Sequence, residues 1–166
     1  MAVYGMTTKT DYLSDNAILI LDEIFENKDL MKLIYYDKTP LDNPDINNKE
    51  IVLPKYLSPI PFADGVPVHQ GCELRAWFVG GQIKNRVILD SRVAFQFIFH
   101  KDTSLITIDG KPKIRFYEVI NQILQTFDGK AIGTLGRLSF EDQSYVFYDA
   151  GKDHGVYQIQ AKMITL

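Results

Sequence analysis

Apolar residues recur at helical spacing near the start of the chain. Ala17, Ile18, Leu21, Ile24 and Phe25 form one stripe, with Asp22, Glu23 and Glu26 between them. Steps of three and four residues place side chains on one face of a helix. Ser14 and Asp15 are favoured N-cap types and predict where it begins. Asn27 to Asp29 interrupts the stripe, which predicts a polar corner and a second short helix over residues 30–35.

The pattern then breaks. Six of the seven prolines fall within residues 39–68: Pro40, Pro44, Pro54, Pro59, Pro61 and Pro67. Each removes a backbone donor and biases its predecessor toward extended backbone. Ile51, Val52, Leu53, Tyr56, Leu57, Ile60 and Phe62 are interleaved with them, and disordered linkers are poor in such residues. The expectation is an extended arm with no strand partner of its own, burying its apolar side chains on neighbouring copies of the chain. Tyr56, Leu57, Ile60 and Phe62 are its predicted contact residues. Pro40 and Pro44, within DKTPLDNPD, are predicted to act as a hinge that limits how the arm leaves the helices.

Alternation dominates the remainder. ELRAWFV (residues 73–79) predicts a strand closed by Gly80-Gly81, and RVIL (86–89) a short partner turning at Asp90-Ser91. RVAFQFIFH (92–100) places Val93, Phe95, Phe97 and Phe99 on one face and Ala94, Gln96, Ile98 and His100 on the other. Only two of the latter four are polar, so both faces are expected to be covered at least in part. LITI (105–108) predicts an edge strand before Asp109-Gly110. Phe116, Tyr117, Ile120, Ile123, Leu124 and Phe127 predict a helix over residues 114–127 with Gly129 as its stop. A strand over 131–141 and a hairpin from 145–148 to 156–163 complete the chain. The order of elements predicts one α+β domain over residues 1–166: N-terminal helices at 12–36, the arm at 39–68, and an antiparallel sheet of about four to six strands from 73 onward. The helix at 114–127 is expected to cross that sheet.

Composition narrows the function. The 166-residue chain is 46% hydrophobic and 23% charged, ordinary values for one folded domain. A net charge of −3 argues against a dedicated DNA-binding domain, whose footprint is a basic patch. No apolar run approaches the ~18 residues of a membrane span, and MAVYGMTTKTDYLSD lacks the pattern of a signal peptide. The expectation is a protein made in the cytoplasm, with no membrane association. The single cysteine, Cys72, excludes an internal disulfide and reads as a buried free thiol.

Candidate chemistry is sparse. Asp45, Glu50 and Lys55 resemble a magnesium-dependent nuclease triad, but the last two are five residues apart on a proline-broken segment. His69, Cys72 and His100 offer zinc-ligand types without a second close pair to complete a tetrahedron. Gly129-Lys130-Ala131-Ile132-Gly133 follows a helix, whereas a phosphate loop precedes one. No catalytic, metal or cofactor site is expected, and an enzyme or small-ligand domain is the weakest reading.

Two stretches carry a family likeness. LMKLIYYDKTPLDNPDI ends the N-terminal helices, and FIFHKD is later followed by IRFYEVINQILQTFDGKAIGTLGRLSF. This order resembles the head–tail joining, tail-completion and tail-terminator proteins of tailed bacteriophages. The resemblance implies a structural role in the virion: identical subunits in a ring, commonly a hexamer, placed in the neck or tail. Such a ring contacts the neighbouring neck and tail proteins and encloses a channel through which DNA passes without sequence-specific binding. Another phage tail or injection-system part, of tube or baseplate type, is the alternative.

Overall fold

The computed structural model describes residues 11–59, 71–84, 87–133, 136–141, 145–151 and 153–164. Two helices open the chain, α1 (Asp11–Glu26) and α2 (Lys28–Tyr35). Helix α1 begins ahead of Ser14 and Asp15, which lie inside it. Its buried face is Ile20, Leu21, Ile24 and Phe25, whereas Ile18 is 49% exposed. The predicted stripe was thus rotated by part of a turn, because Ile18 and Ile20 satisfy similar spacings. Asn27 makes the corner: its side-chain oxygen accepts from the Leu30 amide at 2.9 Å. The same side chain's Nδ2 donates to Thr126 Oγ1 at 2.7 Å and Gln122 Oε1 at 3.0 Å, so one cap joins two helices.

The strands are β1 (Leu57–Ser58), β2 (Cys72–Lys84), β3 (Val87–His100), β4 (Leu105–Ile108), β5 (Lys111–Ile114), β6 (Ala131–Ile132), β7 (Gly136–Ser139), β8 (Val146–Gly151) and β9 (His154–Ile164). Helix α3 (Arg115–Phe127) follows β5. The main sheet runs β1-β2-β3-β9-β7-β6, with β8 also paired to β9. Among the described residues only β1 is parallel to its neighbour; the other pairs are antiparallel. The fold is α+β, as the order of elements predicts.

Three expectations are corrected in the sheet. Strand β2 continues through Gly80-Gly81, and β3 continues through Asp90-Ser91, because register shifts beside Gly80 absorb the mismatch within one long hairpin. The stretch after α3 divides into β6 and β7. Gly133 adopts φ +52°, which favours glycine, and an added Cβ there would stand 1.9 Å from Asn16 Oδ1, so a side chain would also have to displace Asn16 of α1. Strands β4 and β5 form a separate two-stranded ribbon, turned by Asp109 and Gly110 at φ 51° and 72°.

One face of the sheet carries Leu74, Phe95, Phe97, Ile159 and Met163, packed with the helices in a single core. Phe97 sits opposite both Leu74 and Tyr157, and Phe95 meets Phe127 of α3 with ring centroids 5.0 Å apart. Phe95, Phe97, Ile120, Ile123 and Phe127 are buried there; Phe99 and Leu124 pack against them, half-buried. On the other face Ala94, Ile98 and Val156 are also buried, so the centre of the sheet is covered on both sides. Full burial of a Phe or Ile side chain contributes about 1.5–3 kcal/mol, which makes β3 the mechanical centre of the domain.

Candidate assembly surface

Helix α3 buries a stripe at four-residue spacing: Arg115, Val119, Ile123 and Phe127. Arg115 is 1% exposed, so each of its five N–H donors needs an acceptor. Nε donates to the Thr103 carbonyl at 2.6 Å, and Nη1 to the Tyr36 carbonyl at 2.7 Å and to the Leu33 carbonyl. Nη2 donates to the Asp37 carbonyl. Leu33 and Tyr36 end α2, where carbonyls lack intrahelical partners and a cation is favoured. Burial pulls the guanidinium pKa down, opposed by the charges of Cys72 and Asp37. A cleft of about 150 Å³ lies beside it, lined by Asp37, Lys38, Asp102, Thr103, Leu105 and Arg115. With four donors already given to carbonyls, Arg115 has little left for a ligand there. Its position ties the ends of two helices and the turn after β3 into one unit.

A second feature faces outward. Strand β8 pairs only with β9 among the described residues, and its residues are exposed on both sides: Val146 53%, Phe147 53% and Tyr148 38%. Tyr145 just before it is half exposed, as is Tyr117 on the first turn of α3. Phe147 lies 4.8 Å from the Tyr157 ring, which stacks on Phe116 at 3.4 Å and 9°. Tyr145 meets Tyr117 edge-on at 6.4 Å. A hydrogen bond with Tyr145 raises the pKa of the Tyr117 phenol. Gly155 makes room for the layer: a Cβ there would meet Phe99 at 2.7 Å and Phe147 at 3.0 Å. The result is an aromatic surface on a sheet edge that is open among the described residues, the kind of patch that marks an interaction site.

The predicted arm residues divide. Leu57 and Ser58 pair in parallel with Leu74 and Arg75, which corrects the expectation that this segment has no strand partner of its own. Leu57, Val52 and Ile46 are buried in their own domain's core. Tyr56 is half-buried, its ring 4.8 Å from that of Tyr35. Ile60 and Phe62 lie outside the described residues. Pro40 is buried at the start of a short 3-10 turn (Pro40–Asp42), and Thr107 N donates to the Lys38 carbonyl at 2.7 Å. Pro40 is therefore packed into its own fold. Pro44 is exposed, with its carbonyl accepting from the Tyr36 hydroxyl at 3.1 Å.

The chemical candidates are accounted for locally. Asp45 pairs with Lys32 at 2.8 Å, a contact that raises the lysine's pKa. His100 Nδ1 accepts from the Asp102 amide at 3.3 Å, capping the turn Lys101–Thr103. Cys72 Sγ lies 3.5 Å from Thr103 Oγ1, and His69 is outside the described residues. No group of three or more potential metal ligands occurs among the described residues. Nor is any described helix long and apolar enough to cross a membrane.

The sequence reading missed Arg115 and the β8 surface. A charged residue four and eight places before Val119 and Ile123 on an apolar stripe was the available signal for the first. For the second it was YVFY, an unbroken apolar run with three aromatic residues in four that no alternation explains. None of the curated proteins matches the chain. Residues 27–163 match the YomW family, whose name is that of a phage-derived protein, and the chain belongs to this phage-related family.

Proposed function

We propose that this protein is a structural part of a bacteriophage particle, a ring-forming connector of the neck or tail that encloses the DNA channel. The observation that carries the reading is the exposed aromatic strand edge of β8, in a chain of a phage-related family. An isolated domain gains nothing from holding Tyr145, Val146 and Phe147 half exposed on an edge unpaired among the described residues; an assembling one uses them. Head-to-tail contacts of one kind close into a ring when the rotation per subunit closes. The net charge of −3 suits a channel that lets DNA pass without gripping it. Sedimentation velocity with negative-stain imaging tests the proposal. Discrete rings, or ordered addition to a phage neck or tail, are expected. A particle that stays monomeric alone and beside phage neck and tail proteins would refute it.

A further inference from the structure

The last rung of the β3–β9 ladder pairs His100 with His154, and their rings meet edge to face with centroids 5.0 Å apart. Both are buried, at 6% and 7% exposed, although histidine is the side chain that takes up a charge most readily near neutral pH. His100 also has a structural task that depends on its protonation. Its Nδ1 accepts from the Asp102 amide at 3.3 Å and so caps the turn Lys101–Thr103. An accepting ring nitrogen carries no proton, which makes this imidazole neutral with its proton on Nε2. The turn it caps is wired to distant parts of the fold. The Lys101 amide donates to the Asp153 carbonyl at 2.8 Å, and the Arg115 amide to the Ser104 carbonyl at 2.9 Å. The Thr103 carbonyl accepts from Arg115 Nε at 2.6 Å.

Among the described residues, the charged groups around the pair do little to hold a proton there. Asp102 Oδ2 lies 3.4 Å from His100 Nδ1, and Lys101 and Asp153 form their own ion pair at 3.0 Å. All three side chains are more than half exposed, so water screens most of what they offer a buried cation. Strand β2 brings Glu73, opposite Ile98, but Arg75 holds that carboxylate at 2.6 Å. Strand β8 brings Gly151, paired with His154, and Asp149, which accepts from the Gly151 amide at 2.8 Å. We propose that the His100–His154 pair is an acid-sensitive clasp on the end of the sheet. A proton on His100 Nδ1 occupies the lone pair that caps the turn, exchanges the Asp102 amide for its carboxylate, and loosens the turn that holds Arg115. A second proton, on His154, sets two cations side by side with little water between them. In the unfolded chain water solvates both rings, so the folded state loses ground as pH falls from about 7 to about 5.

The test follows the isotope-labelled full chain by NMR from about pH 7.5 to about pH 5, with melting temperatures read over the same range. The Asp102 amide resonance is expected to move with the inflection of the His100 ring. The wild-type melting temperature is expected to fall by at least about 3 °C across that range. In His100→Asn, which keeps a side-chain acceptor for the cap but takes up no proton, at least half of that fall should disappear. An Asp102 amide that stays fixed while the His100 ring titrates overturns the clasp, whether or not the variant folds. A melting profile with the same slope in the wild type and in His100→Asn overturns it too.

Discussion

The guanidinium of Arg115 donates to the carbonyl of Tyr36 at 2.7 Å, joining the first turn of α3 to the last turn of α2 across 79 positions of sequence. Around that bond the carbonyls of Leu33, Asp37 and Thr103 find their donors too. Arg115→Ala leaves several buried acceptors without partners, at about 1–3 kcal/mol for each one that water does not reach. A total loss of at least about 3 kcal/mol in urea denaturation is expected. Arg115→Lys should recover only part, since an ammonium lacks the planar fork. A loss below about 1 kcal/mol for the alanine variant would show that water satisfies these carbonyls.

Phe97 is 2% exposed and touches the core from the middle of β3. Phe97→Ala is expected to cost about 3–5 kcal/mol, the range for emptying a well-packed aromatic site. Chemical denaturation checks it, and a cost below about 1 kcal/mol would mean that this face repacks freely.

The two prolines of the exit loop should behave differently. Pro40 is buried at the first position of its turn, so Pro40→Ala should lower monomer stability by about 1 kcal/mol. Pro44 is exposed, and Pro44→Ala should change the melting temperature little. Differential scanning calorimetry of the single variants separates them; equal effects would contradict the assigned packing.

Burial is the largest influence on Cys72 and holds its thiol pKa above the usual 9.0, with the Arg115 charge and Thr103 pulling the other way. A thiol whose pKa is raised by folding has no effect on stability while both states keep the proton. Once the unfolded chain ionises first, the folded state loses ground. Stability should therefore decline as pH rises from about 9 toward the folded value, and Cys72→Ala should flatten that part of the curve. Urea midpoints across that window test the slope. A disulfide reagent should react with Cys72 only at the rate of unfolding, and fast reaction with the native protein would contradict its burial.

The long repeating patterns were legible in the sequence. The alternation in RVAFQFIFH predicted β3 with both faces covered, and the 3.6-residue period predicted α3 through Phe127 with Gly129 as its stop. Gly129 indeed takes φ 72° after the Asp128 cap. The two-residue strands β1 and β6 carry no period at all, so the sheet is wider than predicted. Prolines at 40 and 54 masked the folding of the segment's first half onto its own domain, because composition reports a lack of regular structure and not where a side chain is buried. Arg115 escaped notice for a related reason. Its charge argued for solvent, while four carbonyls from two other segments, invisible to any local pattern, made burial affordable.

The proposed function rests on self-association through the exposed β8 edge, and the particle mass of the purified chain tests that most directly. Mass photometry over a range of concentrations should find a discrete closed oligomer that is several multiples of the 19.0 kDa chain. Phe147→Ser combined with Tyr145→Ser should return it to single chains without loss of fold. A wild-type mass fixed at 19.0 kDa at every concentration would contradict the account for the protein alone. An oligomer indifferent to both substitutions would contradict the surface assigned to it.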